Sequence, residues 1–436
     1  MGRHGEDATV RILYVAAADL SLPSGQSVHV RRLVDAFQDL GHELRLVSLR
    51  SPGLSWSGPA PGWIQVDRPR VARLGHLLAE WRVARQAESA AAGAPPDVCL
   101  FRAGYLSLAP VFFGGLAARV PLVVECNALP REIARHAGEP RWRLAIAGLL
   151  ERRILQRARA VGVVTPAIAR SLVADYKLDP ARVRVIPNGA WIPPKPDPAG
   201  VDPRAARGVA ARDFLAGFTG NLNAVQDLES VIGGMSLLRD RGVEVKLWIA
   251  GDGPARSSLE RLVRQLDLLD RVDFLGGLGE AEATRVAQAC QVLVVPYRPR
   301  PYADLGGGGE AMKALQALAC DRPLLATRVV GMEALAAALE ELATGREART
   351  GRVDAMEHAP PIDLVEAAAP AWAEALERWR GRWVEAGSPA RDWPWIEHSG
   401  AGIAYVRAAR TWRQSAQAWV GLLSDVCAEA AGPVNG

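Results

Sequence analysis

Short apolar runs alternate with longer amphipathic stretches along most of the chain. The apolar runs predict strands, of which the first five fall at residues 11–16, 43–48, 98–101, 122–125 and 160–164. Apolar residues at helical spacing follow them, as in VHVRRLVDAFQDLGH. Strands that alternate with helices favour parallel sheets, so the pattern predicts a doubly wound α/β fold.

A proline-rich segment at residues 187–203, PNGAWIPPKPDPAGVDP, interrupts this alternation. Its composition is typical of a stiff, extended connector. A second series of apolar runs follows: FLAGFTG, VKLWIAGDG, VDFLGGL, VLVVPYR and PLLATR. We therefore predict an N-terminal Rossmann-like domain at 1–190, with 400–436 packing back on it, and a C-terminal Rossmann-like domain at 191–399. Ligands of such folds bind at the carboxyl ends of the strands, so we expect a cleft where the two sheet edges face each other.

The composition excludes several classes of protein. Apolar residues make up 49% of the 436 residues and charged residues 23%, as in ordinary globular proteins. The net charge of +4 is too small to indicate a nucleic-acid partner. The five cysteines are widely spaced and form no C-x-x-C pair, which argues against a structural zinc site or a disulfide framework.

The tail from Trp372 to Trp419 holds seven of the thirteen tryptophans. We favour the interpretation that these rings pack the tail helices against the domains, with a membrane-surface or partner face as the alternative. No apolar run reaches the roughly 20 residues of a membrane span. The expected location is cytoplasmic, with peripheral attachment to a membrane left open, and no integral membrane segment or nucleic-acid partner is expected.

Four consecutive glycines precede a predicted helix that carries Glu310, Lys313 and Gln316. The glycines are Gly306, Gly307, Gly308 and Gly309. Glycine lets backbone N–H groups approach a ligand, and a helix N-terminus adds unpaired donors, so this junction favours an anion. Steps of three place the polar residues on one stripe of the helix. The pattern predicts a site for a nucleotide-sugar, and a flexible loop before an ordinary helix is the alternative interpretation.

Two further glycine-containing turns have structural interpretations. Asn188-Gly189 closes a predicted strand and is interpreted as a turn rather than a site. The segment 251–254, GDGP, joins a strand to a helix, and we interpret it as a structural turn because a lone G-x-G is weak evidence for a dinucleotide site.

Seven segments follow one another in an order and spacing typical of one enzyme family. They are PSGQSVHVRRLVDAFQDLGHELRLVS, PLVVECNALPRE, ERRILQRARAVGVVTPAIARSLV with RVRVIPNGAW, FTGNLNAVQDLESVI, LWIAGDGP, RVDFLGGL and ALACDRPLLAT. The series resembles the retaining GT-B glycosyltransferases of family 4 over most of residues 10–335. The resemblance implies a GT-B fold and transfer of a sugar from a nucleotide-diphosphate donor to an acceptor hydroxyl or amine with retention.

The resemblance also implies roles for individual residues. In a front-face mechanism the leaving pyrophosphate takes the acceptor proton, so the protein must stabilise negative charge on the phosphate. The catalytic candidates are Lys313, Gly25 and Glu310. The donor-binding candidates are Gly220, Asn221, Leu278, Gly306, Gly307, Gly308, Gly309 and Gln316. The acceptor-side candidates are His29 and Asn127.

The chain departs from the family pattern at several of these positions. Asn221 and Gln226 stand where the family commonly has the arginine and lysine that grip the pyrophosphate. Gln316 replaces the glutamate that meets the ribose. The usual catalytic-loop histidine is missing near Asn127, and His29 is the nearest substitute, although an ordinary helix-packing or surface histidine is the alternative interpretation.

Two alternatives therefore accompany the enzyme hypothesis. One is a degenerate, non-catalytic GT-B protein that binds nucleotide or a partner subunit. The other is a sugar-nucleotide epimerase, which is disfavoured because it needs acid/base carboxylates and histidine in the cleft, and the sequence pattern indicates none there. No D-x-D pattern appears, so we predict a metal-independent enzyme with no cofactor besides the nucleotide-sugar co-substrate. The donor's base and sugar stay open, and the acceptor is unknown: a small molecule, a glycan or a lipid-linked molecule.

Overall fold

The chain forms two compact units, each built on a parallel sheet. The computed structural model describes residues 9–22, 24–51, 62–69, 75–112, 115–136, 138–196, 202–304, 312–350, 362–387 and 400–431. The first unit comprises Met1–Asn188 and Trp412–Gly436, and the second comprises Gly189–Thr411. The doubly wound α/β class predicted from the hydrophobic pattern is confirmed.

The first unit has a seven-stranded sheet in the order β3-β2-β1-β4-β5-β6-β7, with every pairing parallel. Its strands are β1 Arg11–Asp19, β2 Glu43–Arg50, β3 Trp63–Asp67, β4 Val98–Arg102, β5 Leu122–Cys126, β6 Ala160–Val163 and β7 Val183–Val185. The order reverses between β1 and β4, and this switch point is where ligands of such sheets bind.

Helices of the first unit cover both faces of this sheet. They are α1 Gly25–Asp39, α2 Gly75–Gly93, α3 Ala109–Phe112, α4 Leu116–Arg119, α5 Pro130–His136, α6 Arg141–Arg157 and α7 Pro166–Tyr176. Side chains cap two of them, because Ser24 Oγ accepts from the N–H of Ser27 and Thr165 Oγ1 from the N–H of Ile168. Such caps satisfy backbone donors that the first turn leaves unpaired.

The second unit has a six-stranded sheet in the order β10-β9-β8-β11-β12-β13. Its strands are β8 Leu215–Thr219, β9 Lys246–Ala250, β10 Val272–Gly276, β11 Val292–Val295, β12 Leu324–Thr327 and β13 Ile362–Val365. Its helices are α8 Leu228–Asp240, α9 Arg256–Gln265, α10 Glu280–Ala289, α11 Pro299–Asp304, α12 Met312–Ala319, α13 Val330–Thr350, α14 Ala369–Glu385 and α15 Gly400–Ala409. The order again reverses, here between β8 and β11.

The tail divides between the units, which corrects the prediction that all of 400–436 packs on the first domain. Helix α15 belongs to the second unit, where Tyr405 and Val406 are buried in the core and Gly402 contacts Leu318. Only the last helix, α16 Trp412–Ala431, belongs to the first unit. Sequence periodicity gives the apolar face of a helix but not the core that receives it.

The tail tryptophans that the structure describes are buried, which supports the packing interpretation. Trp372, Trp379 and Trp383 lie in the core of the second unit. Trp419 packs onto β6 of the first unit, where a Cβ at Gly162 would overlap its indole ring. Only glycine at this strand position leaves room for the ring.

The GDGP turn has the structural role predicted for it. A Cβ at Gly251 would overlap the carbonyl oxygen of Gly220, and one at Gly253 would overlap that of Leu222. Gly253 and Gly220 also have φ values of +153° and +148°, which favour glycine. The glycines therefore let the loops after β8 and β9 lie in backbone contact at the carboxyl end of the second sheet.

Candidate active site

A cluster of buried polar side chains lies at the carboxyl end of the first sheet, around Glu125. This carboxylate is fully buried. Its Oε1 lies 2.5 Å from Nη1 of Arg102, 2.5 Å from Nε2 of His29 and 2.6 Å from Nδ2 of Asn127. Its Oε2 accepts the hydroxyl of Tyr14. Four donors from separate elements thus converge on one carboxylate.

The fold brings these residues together from distant parts of the sequence. Arg102 ends β4 and is the register partner of Glu125 on β5. Tyr14 comes from β1, on the other side of β4. His29 lies on the buried face of α1 and is only 2% exposed, with the ring of Trp412 from α16 edge-on at 5.1 Å.

The electrostatics of the cluster fix the charge state of Glu125. Burial alone would raise the pKa of this carboxyl, but the positive charge of Arg102, the adjacent imidazole of His29 and the hydrogen bonds from His29 and Tyr14 lower the pKa to about 2. Glu125 is therefore ionised at neutral pH. Neither Tyr14 nor Arg102 loses its proton there, because both have a raised pKa. Burial and Glu125 raise the pKa of Tyr14, and for Arg102 the lowering by burial is outweighed by Glu125 and Tyr14 together with Cys126.

His29 has its tautomer set by this carboxylate. Burial lowers the pKa of the imidazole despite the attraction of Glu125, so the ring is neutral at neutral pH. With the proton on Nε2 facing Glu125, the other ring nitrogen, Nδ1, is an acceptor. A carboxylate that orients an imidazole is an arrangement enzymes use to hold or accept a proton. His29 is thus not a surface histidine, and its predicted role toward the acceptor stays a prediction beside the helix-packing interpretation.

Two side-chain oxygens beside His29 lack hydrogen-bond partners among the residues that the structure describes. They are Oδ1 of Asn127 and Oδ1 of Asn188, and both are buried. Asn188, interpreted from sequence as a turn residue only, has its side chain next to the imidazole. Buried polar atoms are nearly always paired, so these oxygens mark a place where a hydroxyl or amine could donate.

A small cavity of about 30 Å³ adjoins this cluster behind Cys126. Its lining includes Arg131, Glu151 and Tyr176. The hydroxyl of Tyr176 donates to one oxygen of Glu151, and the other oxygen is buried without a partner among the described residues. Burial raises the pKa of this carboxyl. The cavity has room for about one water-sized group.

Lys313 is the central feature of the second unit. It lies on the first turn of α12, and its Nζ donates to Oε1 of Gln226 at 2.8 Å. The ammonium stands over the rings of Phe218, 4.7 Å from the centroid, and Tyr297, 5.3 Å from the centroid. It also borders the backbone of Gly220, just beyond β8. These contacts place a cation at the switch point of the second sheet.

Burial lowers the pKa of Lys313 to about 7, and no carboxylate offsets this effect within the described part of the chain. The aromatic faces favour the ammonium only modestly. Gln226, which stands where the family commonly has a phosphate-gripping cation, supplies a neutral acceptor to Lys313 instead. The lysine is therefore desolvated and about half protonated at pH 7, with hydrogen-bonding capacity left for an anion.

Gln316 has a structural contact that the sequence did not indicate. Its Nε2 donates to the backbone oxygen of Trp191 at 3.1 Å, within the second unit. The amide that replaces the family's glutamate thus ties α12 to the segment after Ala190. The predicted contact to a ribose stays a prediction.

The other predicted site residues fall in two groups. Gly25 begins α1 with open space where a Cβ would stand, Asn221 is exposed after β8, and Leu278 packs on the core of the second unit. None of these positions contradicts its predicted role. The catalytic candidate Glu310 and the four glycines of 306–309 lie outside the described residues.

Neither a metal-ligand cluster nor a membrane-spanning helix is found among the residues that the structure describes. Across those ranges no group of three or more histidine, cysteine, aspartate or glutamate side chains could hold a metal ion. The same residues include no helix with the length and apolarity needed to span a bilayer. Metal independence stays a prediction.

Comparison with protein families gives two matches along the chain. Residues 23–190 match the family described as Glycosyltransferase Family 4. Residues 213–359 match the family described as Glycosyl transferases group 1. Each match lies almost wholly within one of the two structural units.

The individual relatives share little sequence identity with this chain. The 2-deoxystreptamine glucosyltransferase of Streptomyces kanamyceticus is 27% identical over 190 residues, which is 42% of this chain and 46% of the relative. The chain thus spans less than half the length of the first curated relatives it matches.

Solved structures resemble the whole chain in fold. Sucrose-phosphate synthase from Thermosynechococcus elongatus superposes with a TM-score of 0.70 at 18% identity, covering 96% of this chain and all of that one. The Anabaena protein HepE, in complex with UDP and glucose, has a TM-score of 0.64 at 16% identity, covering 95% of this chain and all of its own.

Proposed function

The chain belongs to the GT-B glycosyltransferases, and from that membership we propose that it transfers a sugar from a nucleotide-diphosphate-sugar to an acceptor hydroxyl or amine with retention. The observation that carries the proposal is Lys313, a cation at the carboxyl end of the second sheet with no carboxylate partner in the described part of the chain. Desolvation lowers the pKa of this lysine to about 7, and an anionic ligand beside it would restore the full charge.

Lys313 would act on the diphosphate of the donor. As the bond between sugar and phosphate breaks, negative charge develops on the leaving phosphate, and a positioned ammonium stabilises that charge more in the transition state than in the ground state. Glycine at position 220 leaves room for this side chain, since a Cβ there would stand 3.1 Å from Nζ of Lys313. In this front-face route the phosphate oxygen takes the acceptor proton, and the acceptor oxygen or nitrogen forms the new bond on the face that the phosphate leaves.

His29 and Asn127 would hold the acceptor in the first unit. The neutral imidazole offers Nδ1 and the amide offers Oδ1, and both are acceptors for the proton of a hydroxyl or amine. Glu125 is a positioning residue, since its hydrogen bonds fix both side chains. Two of the similar proteins are consistent with this scheme: one is a 2-deoxystreptamine glucosyltransferase, and the other, HepE, is in complex with UDP and glucose.

The first experiment is a donor screen. Thermal stability is measured with UDP-, GDP-, ADP- and TDP-sugars, because a ligand that binds the folded state alone stabilises it by RT ln(1 + [L]/Kd). The best donor is then incubated with amino- and hydroxyl-bearing acceptors. NMR coupling constants of the anomeric proton in the product report retention or inversion.

Lys313→Ala tests the assigned charge, and Lys246→Ala is its matched control. Lys246 begins β9 in the same unit and donates to the backbone oxygen of Asp270, away from the carboxyl end of the sheet. We expect Lys313→Ala to lower kcat/KM roughly thirtyfold, about 2 kcal/mol of transition-state stabilisation, with the control unchanged. If no nucleotide-sugar binds, or if donors bind without turnover, the non-catalytic alternative replaces this proposal.

A further inference from the structure

Helix α6 of the first unit carries an uncovered apolar stripe. Trp142, Ile146 and Leu149 are 64%, 46% and 53% exposed. Their spacing of four and three residues places them on one face of the helix. The opposite face is buried through residues such as Ile154 and Leu155. A contiguous group of large exposed apolar side chains is unusual on a protein surface and marks an interaction site.

Arginines border this stripe at both ends. Arg141 precedes Trp142, and Arg153 and Arg157 follow Leu149 on the same exposed face. Among the described residues none of the three has an ion-pair partner. The stripe is therefore apolar in the middle and cationic at its ends.

The surrounding segment has the same charge bias. Residues 130–157 contain seven arginines and three glutamates, a net charge of +4. This is as large as the formal net charge of the whole chain. Two of the glutamates are occupied locally, since Glu132 pairs with Arg135 at 2.6 Å and Glu139 with Arg143 at 2.8 Å. The third, Glu151, faces the internal cavity described above. No acidic side chain therefore opposes an anionic surface along the exposed face of α6.

A basic pocket continues from the end of the helix. Arg157 lines it together with Arg119 and Arg159, and its volume is about 210 Å³. No acidic residue is among its described lining residues. Phosphate groups bind to such arginine clusters through charge-assisted hydrogen bonds.

We propose that α6 docks the first unit onto the surface of an anionic lipid bilayer. Tryptophan and branched apolar side chains favour the boundary between headgroups and acyl chains, and arginines beside them favour lipid phosphates. A helix of this kind lies in the plane of the membrane without crossing it. An apolar centre with arginines at both ends fits a lipid surface better than a protein groove, because acyl chains meet the apolar side chains while phosphates meet the arginines. The proposal does not depend on sugar transfer.

The test is sedimentation of the full chain with vesicles of phosphatidylcholine alone and with about 30% phosphatidylglycerol. We expect binding to the anionic vesicles, weaker binding to the neutral ones, and loss at high salt because screening removes the arginine contribution. The double variant Trp142→Ser/Leu149→Ser should bind the anionic vesicles at least about tenfold more weakly. Arg141→Gln/Arg153→Gln should lose the preference for anionic vesicles.

Matched controls come from the second unit. Leu269 and Val330 are 65% and 66% exposed, as much as Trp142, and Leu269→Ser and Val330→Ser should leave vesicle binding unchanged. Circular dichroism checks that each variant is folded, which is expected because exposed substitutions shift stability little.

Two results would overturn the proposal. One is equal sedimentation of the stripe variants and the controls. The other is a stable dimer, seen by sedimentation velocity without lipid, that dissociates in Trp142→Ser/Leu149→Ser, since a second copy would then be the occupant of the stripe.

Discussion

Affinity for the donor should depend on pH through Lys313. Burial lowers the pKa of this lysine to about 7, so in the protein without donor the side chain is only partly protonated at neutral pH. A bound diphosphate favours the ammonium and raises its pKa, so binding takes up a proton at any pH above about 7. Affinity is therefore highest below this pH and falls as the pH rises.

The size of the effect follows from the protonated fraction. With a pKa of about 7, about half of the lysine is charged at pH 7 but only about 1% at pH 9, so the apparent Kd should rise about 50-fold over this interval. A nucleotide-diphosphate-sugar is the right probe, because its phosphates carry no proton that titrates in this range. Isothermal titration calorimetry at pH 6, 7, 8 and 9 gives the Kd, and buffers of different ionisation enthalpy give the proton uptake.

Lys313→Arg is the informative variant, since a guanidinium stays charged throughout this range. Where this variant binds donor at pH 6, its Kd should be nearly constant up to pH 9. Lys246→Ala should keep the pH dependence of the natural protein. A Kd of the natural protein that does not change between pH 6 and 9, or an equal decline in Lys313→Arg, would refute the assignment of the effect to Lys313.

Four further outcomes are expected. Glu125→Gln should lower the free energy of unfolding by about 3–5 kcal/mol at pH 7, because a buried arginine loses its counter-ion. The pKa of Glu125 is about 2 in the folded protein and 4.5 ordinarily. Urea titrations should therefore show the stability difference between variant and natural protein shrinking as the pH falls below 4.5. Gln316→Glu should cost about 1–3 kcal/mol of stability in the same assay, because a carboxylate cannot donate to the oxygen of Trp191. Improved donor binding without a loss of stability would instead assign Gln316 to the ligand alone. Gly308→Val combined with Gly309→Val should abolish donor binding while the melting temperature stays near that of the natural protein, and unchanged affinity would remove the glycine loop from the site. Activity should survive EDTA, and strict dependence on Mg²⁺ or Mn²⁺ in a turnover assay would contradict the metal-independent scheme.

The sequence determined the fold class because hydrophobic periodicity is a local property. Continuous apolar runs such as that of β11 require burial on both faces, and their alternation with helices leaves few topologies besides two doubly wound sheets. Strand β3, by contrast, was missed, because the irregular stretch of residues 50–97 gave no clear period and the strand forms against β2. Its pairing is a tertiary contact.

The candidate site was only partly accessible to sequence reasoning. Lys313 could be singled out because a glycine run and a helix start are adjacent in the chain. The carboxylate that orients His29 could not, since Glu125 lies nearly a hundred residues away and appears in the sequence only as part of an E-x-N pattern. Parallel β-strands brought to one sheet edge unite residues that no local pattern connects.

The tryptophans of the surface and the tail also show what the sequence determines and what only the tertiary structure decides. Sequence reasoning favoured burial of the tail tryptophans, because large aromatic rings usually pack into a core. Whether a given ring is covered depends on which elements pack over it. Trp419 meets a glycine of β6, whereas Trp142 stays 64% exposed, with the guanidinium of Arg143 5.9 Å from its ring centroid. Periodicity determines which face of a helix is apolar, and only the tertiary structure decides whether that face becomes core or remains on the surface.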